Sequence, residues 1–190
     1  MPEIIIRDAK VTDGARLLEI YKPYVEKTAI TFEYEVPSLE EFIQRIEKVQ
    51  TKYPYLVAEL EGKIMGYAYV GQLKSRAAYG WSVETSIYVD GTQKQHGLGR
   101  KLYEALEKIL SKQGVTNLYA CIAYPVQEDE HLTYDSVHFH EKLGYKLNGH
   151  FHHCAYKFER WYDMVWMEKF IGDHVSPQPS VTAYRAWQKD

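Results

Sequence analysis

The stretch from residue 81 to residue 114 constrains the fold more than any other part of the chain. Residues 81–89 alternate with period two, which predicts a strand with Glu84 on its polar face. A polar loop follows, and Gly97-Leu98-Gly99 opens a helical pattern that stops at Gly114. A strand joined by a loop to an amphipathic helix indicates a mixed α/β domain.

The start of this helix is a candidate phosphate-binding site. A helix N-terminus presents unpaired N–H groups and the positive end of the helix dipole, which together favour an anion. Gly97 and Gly99 let the backbone approach a ligand closely, and Lys94 and Arg100 add positive charge. The same residues are compatible with an ordinary tight turn that leads into a helix.

The rest of the chain alternates strand and helix patterns. Thr12 is a candidate N-cap for a first helix, and Ser38 with Glu41 forms a capping-box pattern before a second. Together the patterns predict one domain over residues 1–171, and an extension at 172–190 that packs loosely or on a partner subunit. Further strands are predicted at 4–6, 55–60, 64–73, 115–123, 145 onwards and 161–170, with a short helix at 135–143.

Composition excludes several classes of function. The 190 residues carry a formal net charge of −3, with acidic and basic residues mixed along the chain. We therefore expect no nucleic acid or membrane partner. The chain shows no signal-peptide pattern and no long apolar run, which favours a cytoplasmic protein. Cys121 and Cys154 fit no CxxC site and are expected to be reduced and mostly buried.

A histidine-rich stretch contains potential metal ligands, namely His150, His152, His153 and Cys154. Strand alternation sends residues 152 and 153 to opposite faces, and no second ligand pair has a suitable spacing. We therefore expect no metal. The acidic run 128–130 is most simply a solvated loop.

Two short motifs together resemble the GNAT superfamily of acetyltransferases. They are Gln-His-Gly-Leu-Gly-Arg at 95–100, after a strand, and Phe-His-Glu-Lys-Leu-Gly-Tyr at 139–145. With residues 79–89 they are most similar to the phosphinothricin and methionine sulfoximine acetyltransferase branch, over about residues 3–171. The resemblance implies an α/β (α+β) fold: a mixed, mostly antiparallel sheet of about seven strands, splayed at strands four and five, with about four flanking helices. It also implies acetyl-CoA as co-substrate and a homodimer.

The resemblance assigns cofactor contacts to the end of strand four, the following loop, the helix start and one later position. Two positions depart from the family pattern, since Lys94 replaces a Gln or Arg and Thr133 replaces an Asn. The implied cofactor-binding residues are Ile87, Tyr88, Val89, Lys94, Gln95, His96, Gly97, Leu98, Gly99, Arg100 and Thr133.

Acetyl transfer to an amine requires proton transfers, for which the chain offers two candidates. An amine with a pKa of about 8 to 10 is mostly protonated near neutrality, and Glu84 is the candidate general base. The alternative is a strand glutamate that faces solvent or a cross-strand lysine. His140, with a pKa near about 6.5, is the candidate proton donor to the thiolate, or else an exposed helix residue. Backbone N–H groups near Tyr88 and Val89 are expected to stabilise the oxyanion.

The resemblance places the acceptor amine between Phe32 and Glu33, after the first helix, and Arg76 and Tyr79, before strand four. A guanidinium holds a carboxylate through two parallel hydrogen bonds, which favours a small amino acid analogue. An exposed arginine in a polar turn is the alternative reading of Arg76. Polyamines, aminoglycosides and peptide N-termini are alternative acceptors, and a non-catalytic acyl-CoA sensor is the alternative from another class.

Overall fold

The computed structural model describes residues 3–91 and 97–184. Within them, seven strands form one sheet in the order β1-β2-β3-β4-β5-β7-β6, and only β4 and β5 are parallel. The mixed, mostly antiparallel sheet with four α-helices confirms the predicted fold class. The elements are β1 Ile4–Asp8, α1 Gly14–Lys27, α2 Leu39–Gln50, β2 Tyr55–Leu60, β3 Lys63–Gln72, β4 Ser82–Val89, α3 Leu98–Gln113, β5 Asn117–Tyr124, α4 Asp135–Lys142, β6 Lys146–Lys157 and β7 Arg160–Phe170, with 3-10 turns at Val11–Asp13 and Ala77–Tyr79.

The starts of the first two helices differ in how well the sequence predicts them. The capping box before α2 is confirmed: Ser38 Oγ accepts the Glu41 N–H at 3.2 Å, and Glu41 Oε2 accepts the Ser38 N–H at 2.8 Å. The N-cap prediction at Thr12 is wrong, because residues 11–13 form a 3-10 turn and α1 begins at Gly14. Asp13 accepts the Lys10 N–H at 2.8 Å and so stabilises this turn instead.

Helices cover both faces of the first half of the sheet. Helices α1 and α2 pack on one face of β2, β3 and β4, and α3 packs on the other. The α1/α2 face is filled largely by tyrosine rings; for example, Tyr67 is 1% exposed and its ring centroid lies 5.5 Å from that of Tyr88. Much of the high tyrosine content therefore fills a core. The α3 face is aliphatic and includes Leu102, Leu106 and Leu110, which are fully buried.

Left-handed glycines mark both ends of α3. Gly97, at the N-cap, has φ 72°, and Gly114, at the C-cap, has φ 91°. An L side chain is disfavoured at these angles, so glycine lets the helix begin and end where it does. This confirms the stop predicted at Gly114.

The segment after Gly172, up to residue 184, is mostly exposed but forms hydrogen bonds with the domain at Pro179 and Thr182. The Thr182 N–H donates to Gln113 O at 2.8 Å, and Gln113 Nε2 donates to Thr182 O at 2.7 Å. Trp81 Nε1 donates to Pro179 O at 2.6 Å. These bonds carry the tail from the start of β4 to the end of α3.

Both cysteines are exposed, which contradicts the expectation that they are mostly buried. Cys121 is on the half of the sheet that lacks a tyrosine-packed helix pair, and Cys154 lies at a register irregularity in the edge strand β6. Within the described ranges, none of the helices combines the length and apolar character needed to cross a membrane.

Candidate active site

The central sheet opens between its two parallel strands. Pairing of β4 with β5 joins only Ser82–Glu84 to Asn117–Tyr119, although the strands continue to Val89 and Tyr124. The splay predicted at strands four and five is therefore confirmed. A cleft lies in this opening. Its lining includes Thr85, Ser86, Ile87, Tyr88, Tyr103, Ala120, Cys121, Ile122, Ala123, Ser136 and His140.

Alternate main-chain groups of β4 point into the splay. The Asp90 N–H donates to Met65 O at 2.8 Å, so even-numbered residues of β4 pair with β3 and odd-numbered residues face β5. The N–H group of Val89 thus faces the splay, whereas that of Tyr88 is directed at β3. The Val89 N–H already donates to the Tyr24 hydroxyl at 3.2 Å.

Glu84 is the last residue of β4 that pairs with β5. Its strand neighbours are Gly71 and Tyr119, so no lysine lies directly opposite it. The side chain is half-buried on the α1/α2 face of the sheet, and burial raises the pKa of its carboxyl, with the charge of Lys74 acting weakly against this. A carboxylate with a raised pKa at the mouth of a splay is suited to accept a proton, and its role as base stays a prediction.

His140 lies on the opposite face and is 3% exposed, so it is not an exposed helix residue. Its Nδ1 lies 2.7 Å from Ser136 O, a carbonyl that can only accept, and its Nε2 lies 2.9 Å from the Tyr103 hydroxyl. The proton is therefore on Nδ1, and Nε2 accepts from Tyr103. Burial lowers the pKa of His140 to about 4, which contradicts the expected value near 6.5 and leaves the ring neutral at neutral pH.

The start of α3 has the features that a pyrophosphate needs. Because Gly97 is the N-cap, the first N–H groups of α3 have no partner within the helix. A Cβ at Gly99 would lie 3.0 Å from ring carbons of Phe139 and 3.3 Å from Ile87 Cδ1, so this glycine lets α3 approach both α4 and β4. Leu98 is 2% exposed and its side chain belongs to the core.

The remaining implied cofactor residues are less informative. Arg100 is exposed and pairs with Glu104, with Nε 3.0 Å from Oε1. Thr133 is exposed, and its Oγ1 accepts the Asp135 N–H at 3.4 Å in front of α4. The predictions for Lys94, Gln95 and His96 lie outside the described residues.

The residues implied for acceptor binding lie on two separate segments. Glu33 pairs with Arg45 at 2.7 Å and accepts the Tyr21 hydroxyl at 2.6 Å; although burial acts against ionisation, these contacts lower the pKa of its carboxyl. Phe32 packs against a small cluster around Ala29. Arg76 and Tyr79 are both exposed, at the turn before β4.

Sequence reasoning missed the buried polar side chains that support the cleft. Tyr103 bonds to His140 and lies 3.2 Å from Thr85 Oγ1, and Thr85 in turn donates to Tyr119 O at 3.1 Å. The sequence did contain a signal for Tyr103, because this residue directly follows Leu102 on the apolar stripe of α3. A hydroxyl buried there requires a hydrogen-bond partner.

Comparisons with known proteins agree with this geometry. A family model described as an acetyltransferase (GNAT) domain matches residues 6–166. The chain is 35% identical to the phosphinothricin N-acetyltransferase of Streptomyces viridochromogenes, over 92% of this chain and 91% of that protein. It is 30% identical to the L-methionine sulfoximine/L-methionine sulfone acetyltransferase of Salmonella typhimurium, over 90% of this chain and 97% of that protein.

A solved structure extends the likeness to the whole fold. The GNAT superfamily phosphinothricin acetyltransferase of Sinorhizobium meliloti, in complex with acetyl-CoA, matches with a TM-score of 0.85 at 30% identity, over 96% of this chain and 98% of that one. The cleft, the glycine-capped helix and these likenesses all indicate the same family. The chain belongs to the GNAT acetyltransferases.

Proposed function

We propose that this enzyme transfers the acetyl group of acetyl-CoA directly to the amine of a small amino acid analogue of the phosphinothricin or methionine sulfoximine type. The observation that carries the proposal is Glu84, a half-buried carboxylate with a raised pKa at the last paired position before the splay. The names of the two relatives supply the substrate class.

In the proposed reaction, Glu84 removes a proton from the substrate ammonium group, directly or through one water. The neutral amine then attacks the thioester carbonyl, and the Val89 N–H is the donor placed to stabilise the oxyanion once the Tyr24 hydroxyl gives way. Collapse of the tetrahedral intermediate breaks the C–S bond, and the second proton of the attacking nitrogen passes to the departing thiolate.

The structure changes the role expected of His140 at the departing thiolate. Neutral His140 holds its proton on Nδ1 against Ser136 O and accepts the Tyr103 hydroxyl on Nε2, and both side chains line the cleft. We propose that His140 positions the Tyr103 hydroxyl, which turns toward the departing sulfur and stabilises the thiolate by a hydrogen bond, while the proton itself comes from the attacking nitrogen. The acyl donor supplies the activated acetyl group, and the start of α3 would hold its pyrophosphate through main-chain N–H groups.

We propose that Arg76 binds the carboxylate of the acceptor. Glu33 already pairs with Arg45, so its charge is compensated and it does not repel an anionic substrate. Arg76 is exposed at the turn that leads into β4, six residues before the strand begins at Ser82. A planar guanidinium matches a carboxylate in two parallel hydrogen bonds.

The test is the release of free thiol from acetyl-CoA by the purified protein, with a panel of acceptors. The panel contains phosphinothricin, methionine sulfoximine, spermidine, an aminoglycoside and a short peptide, and a reaction without acceptor is the control. Release with either of the first two supports the proposal. Release only with another amine keeps the chemistry and rejects the substrate class, and acetyl-CoA binding without release across the panel points to an acceptor outside the panel or to the sensor.

We also propose a cytoplasmic homodimer. Two exposed free cysteines suit a reducing compartment. The second half of the sheet carries exposed apolar side chains, including Phe151 at 51% and Trp161 at 56%, which a second copy would cover. Light scattering of the purified chain tests this, since a monomer mass at micromolar concentration contradicts the dimer.

A further inference from the structure

Two histidines and an aspartate meet on the outer strands of the sheet, away from the acetyl-transfer cleft. His150 Nε2 lies 2.7 Å from Asp163 Oδ2, and His152 Nδ1 lies 3.1 Å from the same oxygen. One ligand atom from each of the three residues falls within 4.8 Å of the others. The cluster therefore brings two imidazole nitrogens to one carboxylate oxygen.

Pairing of β6 with β7 explains how the cluster forms. His150 and His152 are two residues apart on β6, which places them on the same side of the strand. Asp163 comes from β7, and the register irregularity between Phe151 and Ala155 brings the strands together beside it. The sequence argument against a metal considered spacing along β6 alone, so it missed a ligand from the neighbouring strand.

The main chain fixes the position of the Asp163 carboxylate. Asp163 is 4% exposed, and its second oxygen, Oδ1, accepts the His153 N–H at 2.7 Å. His153 has φ 46°, a left-handed conformation that turns this N–H inwards. One carboxylate oxygen is thus fixed by the main chain while the other points at both imidazoles, which is the usual division between orienting and ligating contacts.

The distances suit a small divalent ion after a modest adjustment. Zinc bonds of about 2.0–2.2 Å in tetrahedral geometry separate the ligand atoms by roughly 3.3–3.6 Å. The oxygen–nitrogen distances here are 2.7 and 3.1 Å, so the ligands must part by a few tenths of an ångström or more. The His152 side chain is 69% exposed and is free to make that movement.

We propose that His150, His152 and Asp163 form a binding site for a zinc-class divalent ion that takes no part in acetyl transfer. Imidazole nitrogens with one carboxylate oxygen favour zinc, cobalt or nickel over magnesium or calcium, which prefer oxygen ligands alone. The remaining coordination positions face solvent and take water. The ion joins β6 to β7 at the irregular register, and its effect is to stabilise this edge of the sheet.

The site also lies next to the strand that lines the cleft. The His150 ring centroid is 4.9 Å from that of Tyr124, the last residue of β5, and Tyr124 packs on Tyr134 in front of α4. An ion on His150 thus stiffens the side of β5 that is remote from Glu84. This contact is indirect, so turnover is not the readout on which the proposal depends.

The test is calorimetric titration of untagged, chelator-treated protein with Zn²⁺, with Mg²⁺ as the oxygen-preferring comparison ion. We expect one Zn²⁺ per chain, no competition by Mg²⁺, and at least a tenfold loss of affinity in His152→Ala. His174→Ala, which also removes one exposed imidazole but lies outside the cluster, is the matched control and should bind as the parent does. Equal Zn²⁺ affinity in the parent and both variants, or no saturable binding, overturns the proposal.

A second measurement guards against misfolding of the variants. Zn²⁺ should raise the melting temperature of the parent and of His174→Ala, and leave that of His152→Ala unchanged. Co²⁺ provides a spectroscopic check, because its visible absorption bands intensify in a four-coordinate nitrogen and oxygen site. A thermal shift of the same size in His152→Ala contradicts the assignment of ligands. Acetyl-transfer activity that disappears on chelation contradicts the statement that the ion takes no part in the reaction.

Discussion

The two candidate catalytic side chains lie on opposite faces of the sheet, Glu84 on β4 and His140 on α4, and burial shifts their pKa values in opposite directions. Glu84 lies on the α1/α2 face, where burial raises the pKa of its carboxyl, and His140 lies on the α3/α4 face, where burial lowers the pKa of its ring to about 4. Desolvation favours the neutral form of both groups. The comparison teaches that one physical cause suits Glu84 to accept a proton and prevents His140 from carrying a positive charge near neutrality.

The largest expected effect is the loss of turnover in Glu84→Gln. The amide has the same shape as the acid but cannot accept a proton from the ammonium group, so kcat should fall by roughly 100-fold or more. Stopped-flow or thiol-release kinetics measure this, while calorimetry should give an acetyl-CoA affinity close to that of the parent.

The matched control for this substitution is Glu47→Gln, on the exposed side of α2. It makes the same chemical change far from the splay and should leave kcat unaltered. An unchanged rate in Glu84→Gln at every pH would show that Glu84 takes no part in the proton transfer. A fall that disappears at high pH, where the amine is already neutral, would support the base role more sharply.

On the other face, the expected effect is on stability rather than rate. The unfolded chain protonates His140 near pH 6.5, but the folded chain does so only near pH 4. Between these values the unfolded state binds more protons, so the free energy of unfolding falls as the pH falls, by up to about 3 kcal/mol from this group. Urea unfolding from neutrality down to about pH 4 measures the slope.

The variant that isolates the contribution of His140 to this pH dependence is His140→Gln, which lacks a titrating ring. Its unfolding free energy should be lower at neutral pH but should change less with pH than that of the parent. His138→Gln, on the exposed side of the same helix, should keep the parent slope. Equal slopes in all three proteins would contradict a lowered pKa at His140.

The fold was largely predictable because local patterns and tertiary contacts agree. The capping box at Ser38, the glycine stop at Gly114 and the alternation through β4 each depend on a few neighbouring residues. Thr12 failed for the opposite reason: Asp13 bonds to Lys10 and Arg7 and so stabilises a 3-10 turn at the place where a helix start was predicted.

The candidate site was only partly predictable because its chemistry depends on contacts between distant segments. Sequence identified Glu84 and His140, but neither the direction of each pKa shift nor the Tyr103 hydroxyl beside His140 follows from residue type. The same holds for Asp163, whose histidine partners come from a neighbouring strand. Burial and strand pairing, which the linear pattern does not reveal, decide these points.

A substitution of Arg76 tests the proposed acceptor site. Arg76→Ala should raise the acceptor KM by about tenfold, which corresponds to about 1.4 kcal/mol, because a charged hydrogen-bonded pair to the carboxylate is lost. Arg76→Lys keeps the charge without the planar fork and should give an intermediate KM. Steady-state kinetics with varied acceptor measure both. A change in acetyl-CoA affinity alone would show that the acceptor does not bind beside this turn.

The smallest expected effect is the difference in stability between the loss of one hydroxyl on each face. Tyr24→Phe removes the bonds of its hydroxyl to Val89 O and N, at 2.5 and 3.2 Å, and should lower the free energy of unfolding by about 1 kcal/mol. Tyr103→Phe leaves a buried imidazole nitrogen unpaired, so its loss should be larger, about 2 kcal/mol. Urea unfolding at neutral pH ranks the two. If Tyr24→Phe were the more damaging, the bonds between the Tyr24 hydroxyl and the Val89 main chain would be too important for stability to break during the reaction. The Val89 N–H could then not be released to an oxyanion.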